Sequence, residues 1–114
     1  MTQQGFEEYL YSKFGKETGT AKSYITAIQI IDEMFIYNDF FNLKGKSIVK
    51  ISDYNLLAQI KEYIHYQQSL FRNCKESIFS NISINQHSYP KNGFCSAALK
   101  HLLDYHVYYY KQNT

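Results

Sequence analysis

From Ala21 to Tyr37 the chain runs without a Gly or Pro and places apolar side chains three or four positions apart. At about 100° per residue, Ala21, Tyr24, Ile25, Ile28, Ile31 and Phe35 fall on one arc, and Lys22, Thr26, Gln29 and Glu33 fall on the other. A strand would alternate with a period of two, so this stretch predicts a helix. A helix this one-sided must bury its stripe against other elements. The chain holds one Pro and five Gly in 114 residues, so few breaks interrupt it and the partners are expected to be helices as well.

Those partners are visible on both sides. Gly5 to Phe14 carries Phe6, Tyr9, Leu10 and Phe14 at helical spacing and stops at Gly15. Thr18-Gly-Thr20 then offers a cap for the long helix. Asn38 to Ile51 breaks the period, with Lys44-Gly-Lys46 as a basic turn and Ser47 to Ile51 as a short extended piece. Ser52-Asp53 caps a third helix that sends Leu56, Leu57, Ile60, Tyr63, Ile64 and Phe71 inward. Asn73 to Asn92 is looser, with one short helix around Glu76 to Phe79, and His87 to Gly93 is expected to be a loop because it contains Pro90 and Gly93. The last helix spans Phe94 to Lys111. Its inner arc holds Cys95, Ala98, Leu99, Leu102, His106 and Tyr109, and its outer arc holds Ala97, Lys100, His101, Asp104 and Tyr108. The expected architecture is all-α, a single domain over residues 1–114 built as a bundle of four to five helices. The Lys111–Thr114 end has neither Gly nor Pro, a pattern shared by a natural frayed end and by the N-terminal part of a longer protein.

Composition narrows the function classes. A hydrophobic fraction of 45% against 19% charged residues is enough to fold and argues against disorder. The formal charge of +2 is small, so nucleic-acid binding requires lysines clustered on one face rather than a basic chain overall. The 12 Tyr and 8 Phe suit core edges and interfaces alike. The Met1 to Glu8 start lacks the basic residues and apolar run of a secretory signal, and no stretch has the length of a membrane span. A cytoplasmic protein with Cys74 and Cys95 as free thiols is the expectation.

No catalytic or metal site follows from the spacing, and no cofactor is implied. His101 and His106 stand five apart, about 140° around a helix, rather than the four that put two ligands on one face. Cys74 and Cys95 belong to no CxxC pair. The adjacent carboxylates Glu7-Glu8 and Asp32-Glu33 point apart on a helix, and neither GxSxG nor a phosphate-cradling glycine loop is present. Asp32 lies within the apolar arc, where it is expected to reach a Lys, an Arg or a Tyr hydroxyl. The lysines are more informative. Lys13, Lys16 and Lys22 surround the first turn between helices, Lys44, Lys46 and Lys50 follow with no acid among them, and Lys91 and Lys100 flank the start of the last helix. Helix N-termini with Thr20, Lys22 and Ser23, or with Lys91 and Ser96, present free N–H groups and cations of the kind that hold phosphate.

Two stretches carry a family resemblance. Phe6-Glu-Glu-Tyr-Leu10, with Thr20-Ala-Lys-Ser-Tyr24 leading into Ile25-Thr-Ala-Ile28, resembles the opening of tyrosine-recombinase core-binding domains of the SAM-like type. Gly93-Phe-Cys-Ser-Ala-Ala-Leu99, followed by Leu102-Leu-Asp-Tyr105, is similar to the last helix of the helical N-terminal domains of bacterial restriction endonucleases. Asn38 to Asn92 matches neither. The resemblance implies a recognition or clamp domain on duplex DNA, contacting it with Thr20, Lys22 and Ser23 and with Ser96 and Lys100. His101, on the expected outer arc, is positioned to reach a base edge or a phosphate, and Lys44, Lys46 and Lys91 add further phosphate contacts. The chain has a single Arg, Arg72, and no recombinase active site, so strand cleavage would belong to a following nuclease domain. The competing class is a protein-interaction module in which the Tyr-rich last helix, through Tyr105 and Tyr108, meets a following domain or a second copy.

Overall fold

The computed structural model describes residues 1–112, so the Asn113-Thr114 end discussed above lies outside the described residues. Five α-helices follow one another: α1 (Gln3–Phe14), α2 (Thr20–Asn38), α3 (Tyr54–Arg72), α4 (Ser88–Lys91) and α5 (Phe94–Gln112). Among the described residues there is no strand. The fold is an all-α bundle, as the periodicity of α2 required.

The first three helices begin or end where local chemistry dictates. Thr2 caps α1 by accepting from the Gly5 N–H, and Gly15 closes it at φ 81°, a conformation that a side chain would resist. Thr18-Gly-Thr20 does start α2, but Gly19 takes the cap position at φ 77°, and Thr18 accepts from the Thr20 N–H at 3.3 Å. Asp53 caps α3 by accepting from the Asn55 and Leu56 N–H groups.

Helix α5 packs against α3 and α2, and α1 lies across the outside of α2 and α5. Contacts along α5 show the directions. Phe14, at the end of α1, meets His101, whereas Tyr9 meets Tyr105 and Tyr108, so α1 and α5 are antiparallel. Gln68 meets Ser96 while Ser52 and Tyr54 meet His106, so α3 and α5 are antiparallel too. The Cα envelope, 43 × 34 × 19 Å, is two helix layers thick, given packing distances of about 8–10 Å between axes. Phe6, Leu10, Ile28, Ile31, Ile60, Ile64, Leu99 and Leu102 form the interior between the layers. Helix α2 buries a wider arc than its stripe suggested, adding Ala27, Ile30 and Met34, and Ile30 and Met34 face the segment that carries Phe40, Ile78 and Ile82.

Three local expectations are corrected. Ser47 to Ile51 is not extended: Ile48–Lys50 is a 3₁₀ turn, started by the Ser47 hydroxyl accepting from the Val49 N–H. Without a neighbouring strand an extended piece would leave its N–H groups unpaired, and the turn pairs them locally. The helix around Glu76 to Phe79 is a 3₁₀ turn at Ile78–Asn81, with Ser77 and Ser80 capping each other, and a second 3₁₀ turn follows at Ile84–Gln86. The expected loop at His87 to Gly93 contains α4. Pro90 is tolerated there because the first turn of a helix needs no N–H from it.

Candidate nucleic-acid interface

A run of aromatic contacts ties the end of α1, the start of α2 and the start of α5 together. Phe14 packs on Tyr24 with ring centroids 5.5 Å apart, and Tyr24 meets Phe94 at 5.9 Å. Phe94 in turn meets Tyr89 of α4 at 6.0 Å. His101 closes the run, 5.0 Å from Phe14 and 4.7 Å from Tyr24. Such pairs bury ring area and add about 0.5–1.5 kcal/mol each beyond it, so the run fixes how these helix ends sit together.

Four lysines lie close to these rings in sequence. Lys13 neighbours Phe14, Lys22 precedes Tyr24 by two residues, Lys91 follows Tyr89 by two, and Lys100 neighbours His101. All four side chains are exposed. Lys13 forms a loose pair with Asp104 at 3.9 Å and lies 5.6 Å from the Phe14 centroid, while Lys22, Lys91 and Lys100 make no ion pair among the described residues. His101 lies within reach of two of these charges. Burial lowers its pKa first, Lys13 and Lys100 lower it further, and Asp104 opposes them.

Other residues singled out in the sequence occupy different surroundings. Ser23 donates its hydroxyl to the Gly19 carbonyl at 3.1 Å, and Thr20 is half-buried. Ser96 is engaged inside the fold. Its N–H donates to Gln68 Oε1 at 3.2 Å, and its Oγ accepts from Gln68 Nε2 at 2.9 Å. The buried Gln68 therefore fills the anion-binding position at the start of α5, and Ser96 is not free to meet a phosphate. His101 is likewise not on the solvent face: it is half-buried, its Nδ1 is enclosed without a hydrogen-bond partner, and Phe14 and Tyr24 cover it. A helical wheel leaves out α1, which occupies that side of α5. Tyr105 is buried at 5% exposure against Phe6 and Tyr9, leaving Tyr108 as the exposed member of the pair. Lys44 and Lys46 are exposed on the loop between α2 and α3, outside the aromatic run.

Asp32 does not reach a Lys, an Arg or a Tyr. It accepts from the Ser47 hydroxyl at 2.6 Å and from the Ile48 N–H at 2.9 Å. Burial raises its pKa, and these two hydrogen bonds oppose the rise. His106 Nε2 lies 2.7 Å from the Ser52 carbonyl, between Tyr54 and Tyr110, far around α5 from His101. Among the described residues no three His, Cys, Asp or Glu side chains gather as a metal site would require. Cys74 is exposed and Cys95 buried, both free. No helix among the described residues is long and apolar enough to cross a membrane.

A second surface lies at the far end of α2. Tyr37 and Ile36 are 92% and 56% exposed, and Ile84 is 84% exposed. Beside Ile36 and Tyr37 runs a groove of about 650 Å³ whose lining mixes apolar Met34, Phe40 and Ile82 with polar Glu33, Asn81 and Gln86. Nothing in the sequence marks it, because Ile36 and Tyr37 fall at the end of an otherwise regular stripe. No family model, curated protein or solved structure matches the chain.

Proposed function

We propose that this chain is a duplex-DNA-binding module that lays the edge formed by Lys13, Lys22, Lys91 and Lys100 against the phosphate backbone. The observation that carries the reading is the aromatic run from Phe14 through Tyr24 to Phe94 and Tyr89. It joins helix ends that carry four exposed lysines, two of which, Lys13 and Lys100, lie near enough to His101 to lower its pKa, in a chain whose net charge is only +2. Local potential, not net charge, steers a polyanion. The sequence resemblance to recombinase core-binding domains and to the helical domains ahead of restriction nucleases supports the same reading. Any strand cleavage then belongs to another domain. Contacts to phosphate position a protein without reading sequence, so the module acts as a clamp. Ser96 and His101 support the edge from beneath rather than touching DNA.

The groove beside Ile36 and Tyr37 favours a second reading, a protein contact, since large exposed apolar patches mark interaction surfaces. Tyr37 lies fifteen residues beyond Lys22 on α2, about 22 Å along its axis, so the two surfaces do not compete. An NMR titration with a short duplex separates them. Amide shifts at Lys13, Lys22, Lys91 and Lys100 and their neighbours support the DNA edge. Shifts confined to Ile36, Tyr37 and Ile84, or none at low salt, refute it.

A further inference from the structure

Between α2 and α3 the backbone is unusually constrained for a loop. Asp39, Phe41, Asn42 and Lys44 all have φ between 49° and 59°, the left-handed region that side chains avoid, and Gly45 follows at φ 79°. Such residues persist only where the surroundings over-determine them. Here both ends of the loop are anchored. Phe40 and Phe41 pack on Phe35 and Tyr63 at 5.4–5.7 Å, and Ile48 and Val49 are fully buried. The remaining tie is polar: the Asp32 carboxylate on α2 takes the Ser47 hydroxyl and the Ile48 N–H, fifteen and sixteen residues away. The product of this construction is a tip that carries Lys44, Lys46 and, one 3₁₀ turn later, Lys50. All three are exposed, none forms an ion pair among the described residues, and no acid interrupts the chain from Phe40 to Ser52.

We propose that this loop is a second, preformed phosphate-contacting element, with Lys44, Lys46 and Lys50 as its cations and Asp32, acting through Ser47, as the positioning residue. The inference rests on the reading of the chain as a duplex-DNA binder. Its physical logic is preorganisation. Flexible lysines lose conformational freedom when they bind, whereas cations already held on a fixed backbone lose less, and the strain is carried by the fold beforehand. Asp32 is three helical turns along α2 from Lys22, about 15 Å away, so the loop and the aromatic edge are presented by one rigid element.

The test uses the full chain, a labelled duplex of defined sequence and the slope of log affinity against log salt. Lys44, Lys46 and Lys50, replaced together by Ala, should lower that slope by about two to three, because each lost phosphate contact removes about one. Ser47→Ala should lower it in the same direction while leaving all lysines in place, and Ser47→Thr, which keeps the hydroxyl, should restore it. A purely structural role for Ser47 would change melting temperature without changing the slope. A wild-type slope in the triple-lysine variant overturns the loop as a contact. A reduced slope in that variant with an unchanged one in Ser47→Ala overturns the positioning role. Failure of the wild-type chain to bind the duplex at low salt is a different result: it removes the parent reading, and this inference with it.

Discussion

Replacing Gln68 by Met tests whether the start of α5 is closed from inside. Gln68 is 3% exposed, and Met matches its length while removing both polar groups. Two hydrogen bonds disappear, Nε2 to Ser96 Oγ at 2.9 Å and Ser96 N–H to Oε1 at 3.2 Å. The hydroxyl keeps a long contact to the Gly93 carbonyl at 3.4 Å, whereas the Ser96 N–H is left without a protein acceptor. A lost net hydrogen bond costs about 1 kcal/mol and an orphaned donor about 1–3. Ser96 is only half-buried, so water recovers part of this, and roughly 2 kcal/mol of destabilisation is expected. With a urea slope of about 1–3 kcal/mol/M, the unfolding midpoint should fall by about 1 M. Ser96→Ala in the same background should cost little more, since the pair acts as one unit. DNA affinity, measured well below the transition, should be unchanged. A midpoint within roughly 0.3 M of wild type would refute the closed start. So would a loss of DNA affinity out of proportion to stability, which would make Ser96 a contact after all.

Other outcomes follow from single contacts. Gly5→Ala should lower the melting temperature, although Ala is the better helix former by roughly 0.5–1 kcal/mol, because the added methyl meets the Tyr105 hydroxyl; a stabilised variant would contradict that packing. Cys74 should react at once with a thiol reagent. Cys95, whose pKa burial pushes up to about 12, should react only on unfolding, and two fast thiols would mean α5 is not seated as described. The pKa of His101 is lowered by burial, then by Lys13 and Lys100. Its contribution to stability is therefore complete above 6.5, the ordinary value, and is lost as pH falls through its folded value below that. Urea titrations should show the wild type losing ground to His101→Gln as pH is lowered from 6.5, and parallel curves would count against the enclosed Nδ1.

The long helices were legible because their signal is periodic. Ile25, Ile28, Ile31 and Phe35 on α2, and Cys95, Leu99 and Leu102 on α5, recur often enough that no partner need be known. The 3₁₀ turns at Ile48–Lys50 and Ile78–Asn81 are too short to carry a period, and their serine caps look like ordinary loop serines. His101 was misplaced for a different reason. A wheel shows which residues share a face but not which neighbouring helix covers it, and the Phe14 end of α1 covers this one. Tyr105 was legible in hindsight, since Leu102, Tyr105 and Tyr109 keep the inner spacing. The lysines were visible one by one. That Lys13 and Lys100 both come near His101 was not, because α1 and α5 meet through contacts distant in sequence.

Fluorescence anisotropy of a labelled duplex, read across a series of salt concentrations, bears on the DNA edge most directly. The wild-type chain should bind in about the micromolar range or more weakly, and lose affinity steeply as salt rises, because bound counterions are released from the phosphates. Lys22→Ala and Lys100→Ala should each weaken binding on every duplex alike and flatten the slope by about one. Absence of binding at low salt, or a slope indifferent to both substitutions, would contradict the account and move attention to the groove beside Ile36 and Tyr37.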